Sequence, residues 1–507
     1  MILWIILICY ILVMIGIGIY CAKKSNNVND FVLGGRSVGA WFTAFAFGTS
    51  YFSAVIFIGY EGQFGWKYGV ASTWIGIGNA VIGSLIAWLL LGRRTRIMTK
   101  HLDCSTMPEF FEKRYNSKSL KIVSAAIVFI FLIPYTASVY NGLSRLFEQA
   151  FHIDYSVCII AMAVLTAVYV ILGGYKATAI NDFIQGIIML VGIAMVVILV
   201  VDAKGGLTNA LEALGSIPDE NGNLNSYNSV FGPNKADLLG VVILTSLGTW
   251  GLPQMATKFY AIKDDAAIKR GTVISTIFAV VVAGGSYFMG GFGRLFVNAE
   301  DITVNGKISY DEIVPTMLNE TLPEVLIGIV VVLVLSASMS TLSSLVLTSS
   351  STLTIDMIKP FMKKGMDEKK QVLIMRMFIA VFLIVSVVIA LNKNTYITTL
   401  MSISWGALAG SFIAPYLYGL FSKKITKPAV WVSFASGVGI TVVHMFVFTF
   451  GGRGGTLLGF SLASPINAGA FAMIFGLIIV PIVSLFTKQK DSDKEYTEKI
   501  FTECFDK

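Results

Sequence analysis

The sequence predicts an all-α polytopic membrane protein with about thirteen transmembrane helices, built around a five-plus-five inverted repeat. Three observations carry that expectation. The chain is too apolar for water: 55% of its 507 residues are hydrophobic and only 13% charged, with a mean hydropathy of +0.75, whereas soluble domains are about a quarter charged. Its Lys and Arg residues alternate with the predicted spans. Two of those spans carry interruptions, and their starts are separated by five spans.

Apolar runs fit to cross a roughly 30 Å hydrocarbon core fall near residues 2–20, 38–60, 69–92, 119–147, 155–173, 177–201, 237–261, 271–293, 323–355, 372–391, 396–420, 428–450 and 466–486. The first run has no basic stretch before it, Lys23 and Lys24 after it, and no small-residue cleavage site. It reads as an uncleaved span with the N-terminus outside. With that orientation the cytoplasmic segments hold about 29 of the 38 Lys and Arg residues, among them Arg93, Arg94, Arg96, Lys100, Lys359, Lys363, Lys364, Lys369, Lys370, Lys423, Lys424 and Lys427. The long loops 203–235 and 297–322 are acidic or neutral instead, with Glu212, Asp219, Glu220, Glu300, Asp301, Asp311, Glu312 and Glu320. An even number of spans would put the Lys-rich tail on the wrong side. The expected organisation is one transmembrane domain over 1–487, with repeats near 38–201 and 237–420, and a short solvated cytoplasmic tail, 488–507, that carries no motif. The expected location is the cell membrane.

The net charge of +8 follows this sidedness and gives no reason to expect a nucleic-acid partner. Cys9, Cys21, Cys104, Cys158 and Cys504 form no CxxC pair and fall in no predicted external loop, so neither disulfides nor a metal centre is expected. His101, His152 and His444 are too scattered for zinc. GGRGG (451–455) lacks the Lys-Ser/Thr end of a nucleotide loop and reads as an external turn.

The interrupted spans point to function. The second contains Gly48-Thr49-Ser50 at mid-depth, and the seventh contains Gly248, Gly251 and Pro253. Glycine weakens a helix and proline deletes a ladder hydrogen bond. Unwound backbone at membrane depth persists only where it is buried in protein or lines a cavity. An odd number of spans inverts topology, so these segments become counterparts in two inverted repeats, with solute and ion between them at the midplane.

The stretch SASMSTLSSLVLTSSS (336–351) is unusually rich in hydroxyls for an apolar helix. Ala337, Ser340, Thr341 and Ser344 share one face, at i, i+3, i+4 and i+7. Neutral oxygens on one face suit a hard cation; the same residues also suit close packing between membrane helices. Asp182 lies about a turn and a half inside its span, where a carboxylate is costly unless paired. A cation between Asp182 and the hydroxyls of Ser343 and Ser344 would meet that cost, as would local backbone capping.

Four motifs carry a family resemblance: FVLGGRSVGAWFTAFAFGTSYFSA (31–54), GGYKATAINDFIQG (173–186), SASMSTLSSLVLTSSS (336–351) and GSFIAPYLYGLFSKK (410–424). In this order they resemble the sodium:solute symporter family. That resemblance implies a leucine-transporter-like fold with one helix before the repeats and two after. It implies a main Na+ site formed by the carbonyls of Thr49, Phe52 and Ala337 and the hydroxyls of Ser340 and Thr341. It implies a second Na+ site, present in some members, at Asp182, Ser340, Ser343 and Ser344. The solute cavity would be lined by Tyr51, Ser53, Tyr60, Trp74, Tyr135, Tyr140, Trp250, Gln254 and Trp405, although any one aromatic there also suits packing. Tyr51 replaces an acidic residue of the proline carriers. The arginine of the sialic acid carriers is missing at mid-membrane, Arg145 standing nearer the outer end. TSYFSAVIFIGYEGQFGWKYG is closer to the pantothenate and monocarboxylate branches, which hints at an organic anion such as a carboxylate or vitamin. With no obvious buried cation to meet it, the anion would use the positive N-terminal ends of half-helices.

The expected function is sodium-coupled import of a small organic solute by alternating access, with one or two Na+ per cycle, by a monomer embedded in the lipid bilayer. The protein is not expected to be an enzyme. A substrate-gated channel would need a continuous polar pore, and a membrane sensor an appended domain; the sequence offers neither a charged ring nor room for a domain after residue 486.

Overall fold

The computed structural model describes residues 2–22, 27–300, 302–304, 307–362, 366–391 and 397–505. Lys23, Lys24, Asp301, Lys363 and Lys364, which enter the charge argument, lie outside the described residues. The apolar runs fold as helices, since a helix satisfies its backbone within one segment where water is absent. Polar residues fix the starts. Thr106 Oγ1 accepts a hydrogen bond from Glu109 N at the head of Met107–Tyr115, with Pro108 in its first turn. Asn234 and Asp264 cap Lys235–Gly251 and Asp265–Ala279 in the same way.

Among the described residues nine helices are long and apolar enough to cross a membrane, or ten when Lys235–Gly251 and Pro253–Ala261, bent by 47°, form one span. The expected number is larger, in part because neighbouring spans run together. The spans expected at 155–173 and 177–201 run together as a 48-residue helical stretch, Tyr155–Asp202. Straight, it would be about 70 Å long, more than twice the hydrocarbon core. It kinks at Gly174, whose φ of 57° and ψ of −158° suit glycine alone. The run from Val55 likewise continues past Gly69 (φ 60°) to His101.

Both expected interruptions exist, one slightly displaced. The first helix does not yield at Gly48-Thr49-Ser50: Ala40–Tyr51 stays helical, and the chain becomes extended at Phe52 (φ −105°, ψ 102°). Ser53 Oγ accepts from Val55 N and starts the second half. The other break is at Leu252 (φ −84°, ψ 125°), with Pro253 opening the next helix. Gly248 remains helical; a Cβ there would collide with the Trp405 ring, so its role is close approach rather than bending.

Helix Ile397–Phe421 is innermost, with 94% of its most apolar window buried, against 33% for Lys427–Phe450 and for Pro465–Phe486, which lie at the periphery. The tail departs from the expectation of a solvated, motif-free segment. Asp491–Phe505 forms an amphipathic helix with Ile500 and Phe501 buried. The Arg114 guanidinium lies 5.1 Å from the Phe501 ring centre, and that of Arg94 lies 4.3 Å from Phe421 and 4.7 Å from Phe505.

Candidate ion and solute site

A helix leaves its last carbonyls without intrahelical partners. In Ala40–Tyr51 the Gly48 carbonyl accepts from Phe52 N, and Thr49 is the next residue along. Its carbonyl faces the hydroxyl-rich helix Glu324–Thr352. Ser340 Oγ lies 3.0 Å from Thr49 O and 3.0 Å from Ala337 O; Thr341 Oγ1 lies 3.2 and 3.1 Å from the same two atoms. All four residues are fully buried. Two carbonyl and two hydroxyl oxygens therefore converge from two helices. Each hydroxyl brings one proton and two lone pairs, so it can donate to a carbonyl or turn its lone pairs to a cation. The donor set is all neutral oxygen, which fits a hard monovalent ion. Phe52 stands at the end of the helix, its ring stacked 4.2 Å from Tyr51.

Most of the expected cavity residues gather beside this break. Tyr51 donates its hydroxyl to Thr245 O at 2.7 Å, so it ties the two broken spans together. The Tyr135 and Trp405 rings meet edge-on at 5.8 Å, and Tyr51 lies 6.2 Å from Trp405. Tyr60 and Ser402 share a hydrogen bond of 3.1 Å. Trp250 Nε1 donates to Ile82 O at 3.0 Å. Gln254 is buried with neither side-chain polar atom hydrogen-bonded among the described residues, and it lines a narrow cleft with Thr178, Lys258 and Ser344. Two residues stand elsewhere. Trp74 is exposed, stacked on Phe231 and bonded through Nε1 to Val230 O, because its helix face turns toward the long loop. Tyr140 faces Thr166 and Tyr169 on another helix. Glu61 is a residue the sequence reading left outside the span: it is fully buried, with neither carboxylate oxygen hydrogen-bonded among the described residues.

Asp182 is buried, as expected, and Ser343 Oγ donates to Ser340 O of its own helix at 2.8 Å. Lys258 stands beside the carboxylate, its Nζ 3.7 Å from Asp182 Oδ2. The ammonium donates to Ser344 Oγ at 2.9 Å, and Ser344 Oγ is 2.7 Å from Ser50 Oγ. The expectation that no buried cation exists is thus corrected. The signal was present in the sequence: a lysine inside an apolar span, four residues after Gln254 and on its face.

The model of the sodium:solute symporter family matches residues 31–437. A sodium/proline symporter of Staphylococcus aureus is 31% identical over 450 residues, 87% of this chain and 85% of that relative. A Na+-coupled sialic acid symporter, solved in a substrate-bound outward-open state, superposes with a TM-score of 0.76 at 14% identity, over 96% of this chain and 98% of the other. A nucleobase-cation-symport-1 family transporter in a closed conformation superposes with a TM-score of 0.54 at 14% identity, over 94% and 98%. The two solved structures speak for the fold alone.

Proposed function

Since the chain belongs to the sodium:solute symporter family and is a sodium-coupled symporter working by alternating access, we propose that its coupling Na+ rests between Thr49 and Phe52 of the first broken helix and Ala337, Ser340 and Thr341 of the hydroxyl-rich helix. The observation that supports this is the placement of the Ser340 and Thr341 hydroxyls at 3.0 and 3.2 Å from the Thr49 carbonyl. Bound there, the ion would bridge two helices already joined by the hydroxyls of Ser340, Thr341 and Ser344. Its binding energy then favours the state in which the halves are closed on each other.

The solute is a small organic molecule, and we place it against Tyr51, Ser53, Tyr60, Tyr135, Trp250, Gln254 and Trp405. An organic anion, or the carboxylate end of a zwitterion such as the proline carried by the Staphylococcus aureus relative, would meet the positive N-terminal ends of the half-helices that begin after Ser53 and Leu252. Inward movement of each Na+ adds about 2.3 kcal/mol per 100 mV to its concentration gradient. The protein acts as a carrier in the cell membrane, with no catalytic residue. Its N-terminus is outside, its C-terminal helix cytoplasmic, and the working unit is one chain.

The test is a heat-stability screen of the purified protein against amino acids, carboxylates, vitamins and sugars, with sodium or with choline in its place. Stabilisation by sodium alone, enlarged by one solute class, is the expected result. A solute that stabilises equally in choline would refute coupling at this site.

A further inference from the structure

The ammonium of Lys258 lies among the groups that the family resemblance assigns to a second sodium ion. It is 3.7 Å from Asp182 Oδ2, 2.9 Å from Ser344 Oγ and 5.3 Å from the centre of the Tyr175 ring. Lysine and aspartate are 2% and 0% exposed. Neither Asp182 oxygen receives a hydrogen bond from a described residue, so the positive charge beside it is what offsets its burial. Ser343, the other hydroxyl expected on that ion, donates to the Ser340 carbonyl.

We infer that Lys258 is a tethered cation that takes the second ion's place, so that this carrier binds and moves a single sodium. The inference rests on the sodium-symporter reading and narrows it. The carboxylate supplies one negative charge and the ammonium already answers it. A sodium ion within about 4 Å of that ammonium would lose roughly three orders of magnitude in affinity to repulsion at an effective dielectric of about 20. The tether also changes what the position does. A free ion leaves with each turnover, whereas Lys258 is anchored on Pro253–Ala261, the second half of the broken span. Asp182 and Ser344 belong to Tyr155–Asp202 and Glu324–Thr352. The lysine therefore holds the half-helix to those two helices in this conformation.

The experiment uses sodium as its only ligand. Purified full-length protein is assayed for radioactive sodium bound per chain at saturation, and for heat stability against sodium concentration with choline as the replacement ion. Wild type should bind one sodium per chain, with a Hill coefficient near one. Lys258→Ala should melt lower in choline, regain stability in sodium, bind a second ion and respond more steeply. The double variant Lys258→Ala/Asp182→Asn carries no buried charge at this position. It should melt above the single variant in choline and bind one ion, which keeps the test readable if the single variant folds poorly. Two ions bound by wild type, or one ion still bound by a folded Lys258→Ala variant, would overturn the inference and leave the symporter reading standing. A wild type that binds no sodium would overturn both.

Discussion

The hydroxyls of Ser50 and Ser344 meet at 2.7 Å. Ser50 follows Thr49 directly, and Ser344 lies one turn past Ser340 and Thr341. Because Ser344 Oγ also accepts from Lys258 Nζ, the buried lysine, Ser344 and Ser50 form one hydrogen-bonded chain that ends on the residue next to Thr49 of the proposed sodium site.

Ser344→Ala removes the link in that chain while leaving every proposed ligand of the main site in place. A lost hydrogen bond to a charged group costs about 1.5–3 kcal/mol, so the variant should melt lower than wild type. Its sodium half-saturation should also shift, through the loosened contact with Ser50. Sodium-dependent uptake curves identical to wild type would show that the chain does not transmit to the ion site.

Ser340→Ala and Thr341→Ala each delete a neutral oxygen from the proposed ion shell. The expected rise in the sodium concentration for half-maximal uptake is roughly tenfold, about 1.4 kcal/mol, with little change in maximal rate. Unaltered sodium dependence in both variants would remove the ion from this face.

Trp250 borders the break, while Trp74 is engaged with Val230 and Phe231 in the long loop. Trp250→Ala should change which solutes compete for uptake more than it changes the sodium response. Trp74→Ala should alter neither by more than about twofold, the effect of an exposed aromatic away from the site. Competition assays with a solute panel separate the two; equal effects would place Trp74 back in the cavity.

At the loop end of the molecule Arg145 pairs with two acids: its Nη1 lies 2.7 Å from Glu312 Oε1 and its Nε lies 3.6 Å from Asp311 Oδ2. Asp311 Oδ2 also accepts from Ile397 N at 3.4 Å. Burial pushes the Asp311 carboxyl up to about 6, against the opposing pull of Arg145. A carboxyl raised above its ordinary range in this form, and returned to that range on any opening that exposes it, favours closure once protonated, so closure strengthens as pH falls from about 6 and is independent of this group above it. Uptake at a subsaturating sodium concentration should therefore drop between pH 7 and pH 5, and Asp311→Asn should flatten that dependence. Arg145→Ala should increase labelling of a cysteine introduced at Tyr60 or Ser402 by a water-soluble thiol reagent. Labelling equal to that of the parent cysteine protein would show that this ion pair does not close the path.

The fold class was legible in the sequence because bilayer physics leaves a periodic record. Apolar runs long enough to cross a bilayer, basic residues gathered in alternate connecting segments and paired breaks at 48–53 and 248–253 all survive in the linear text. So did the face of Ala337, Ser340 and Thr341, because helical spacing alone places those oxygens together. Local pattern does not fix where a break falls to within a residue, which is why the first opens at Phe52 rather than at Gly48. It also does not show that the C-terminal stretch folds back as a helix, since Phe501 is buried by Arg114 and its neighbours rather than by its own segment.

The sequence by itself determined the apolar helices, their interruptions and the hydroxyl face, since each depends on residues within a few turns of one another. Only the tertiary structure decided the partner of Asp182. Lys258 is 76 positions away along the chain, on a half-helix whose direction is set by the break at Leu252 and Pro253. A charge pair buried between helices depends on how those helices pack, and nothing local to either residue specifies that.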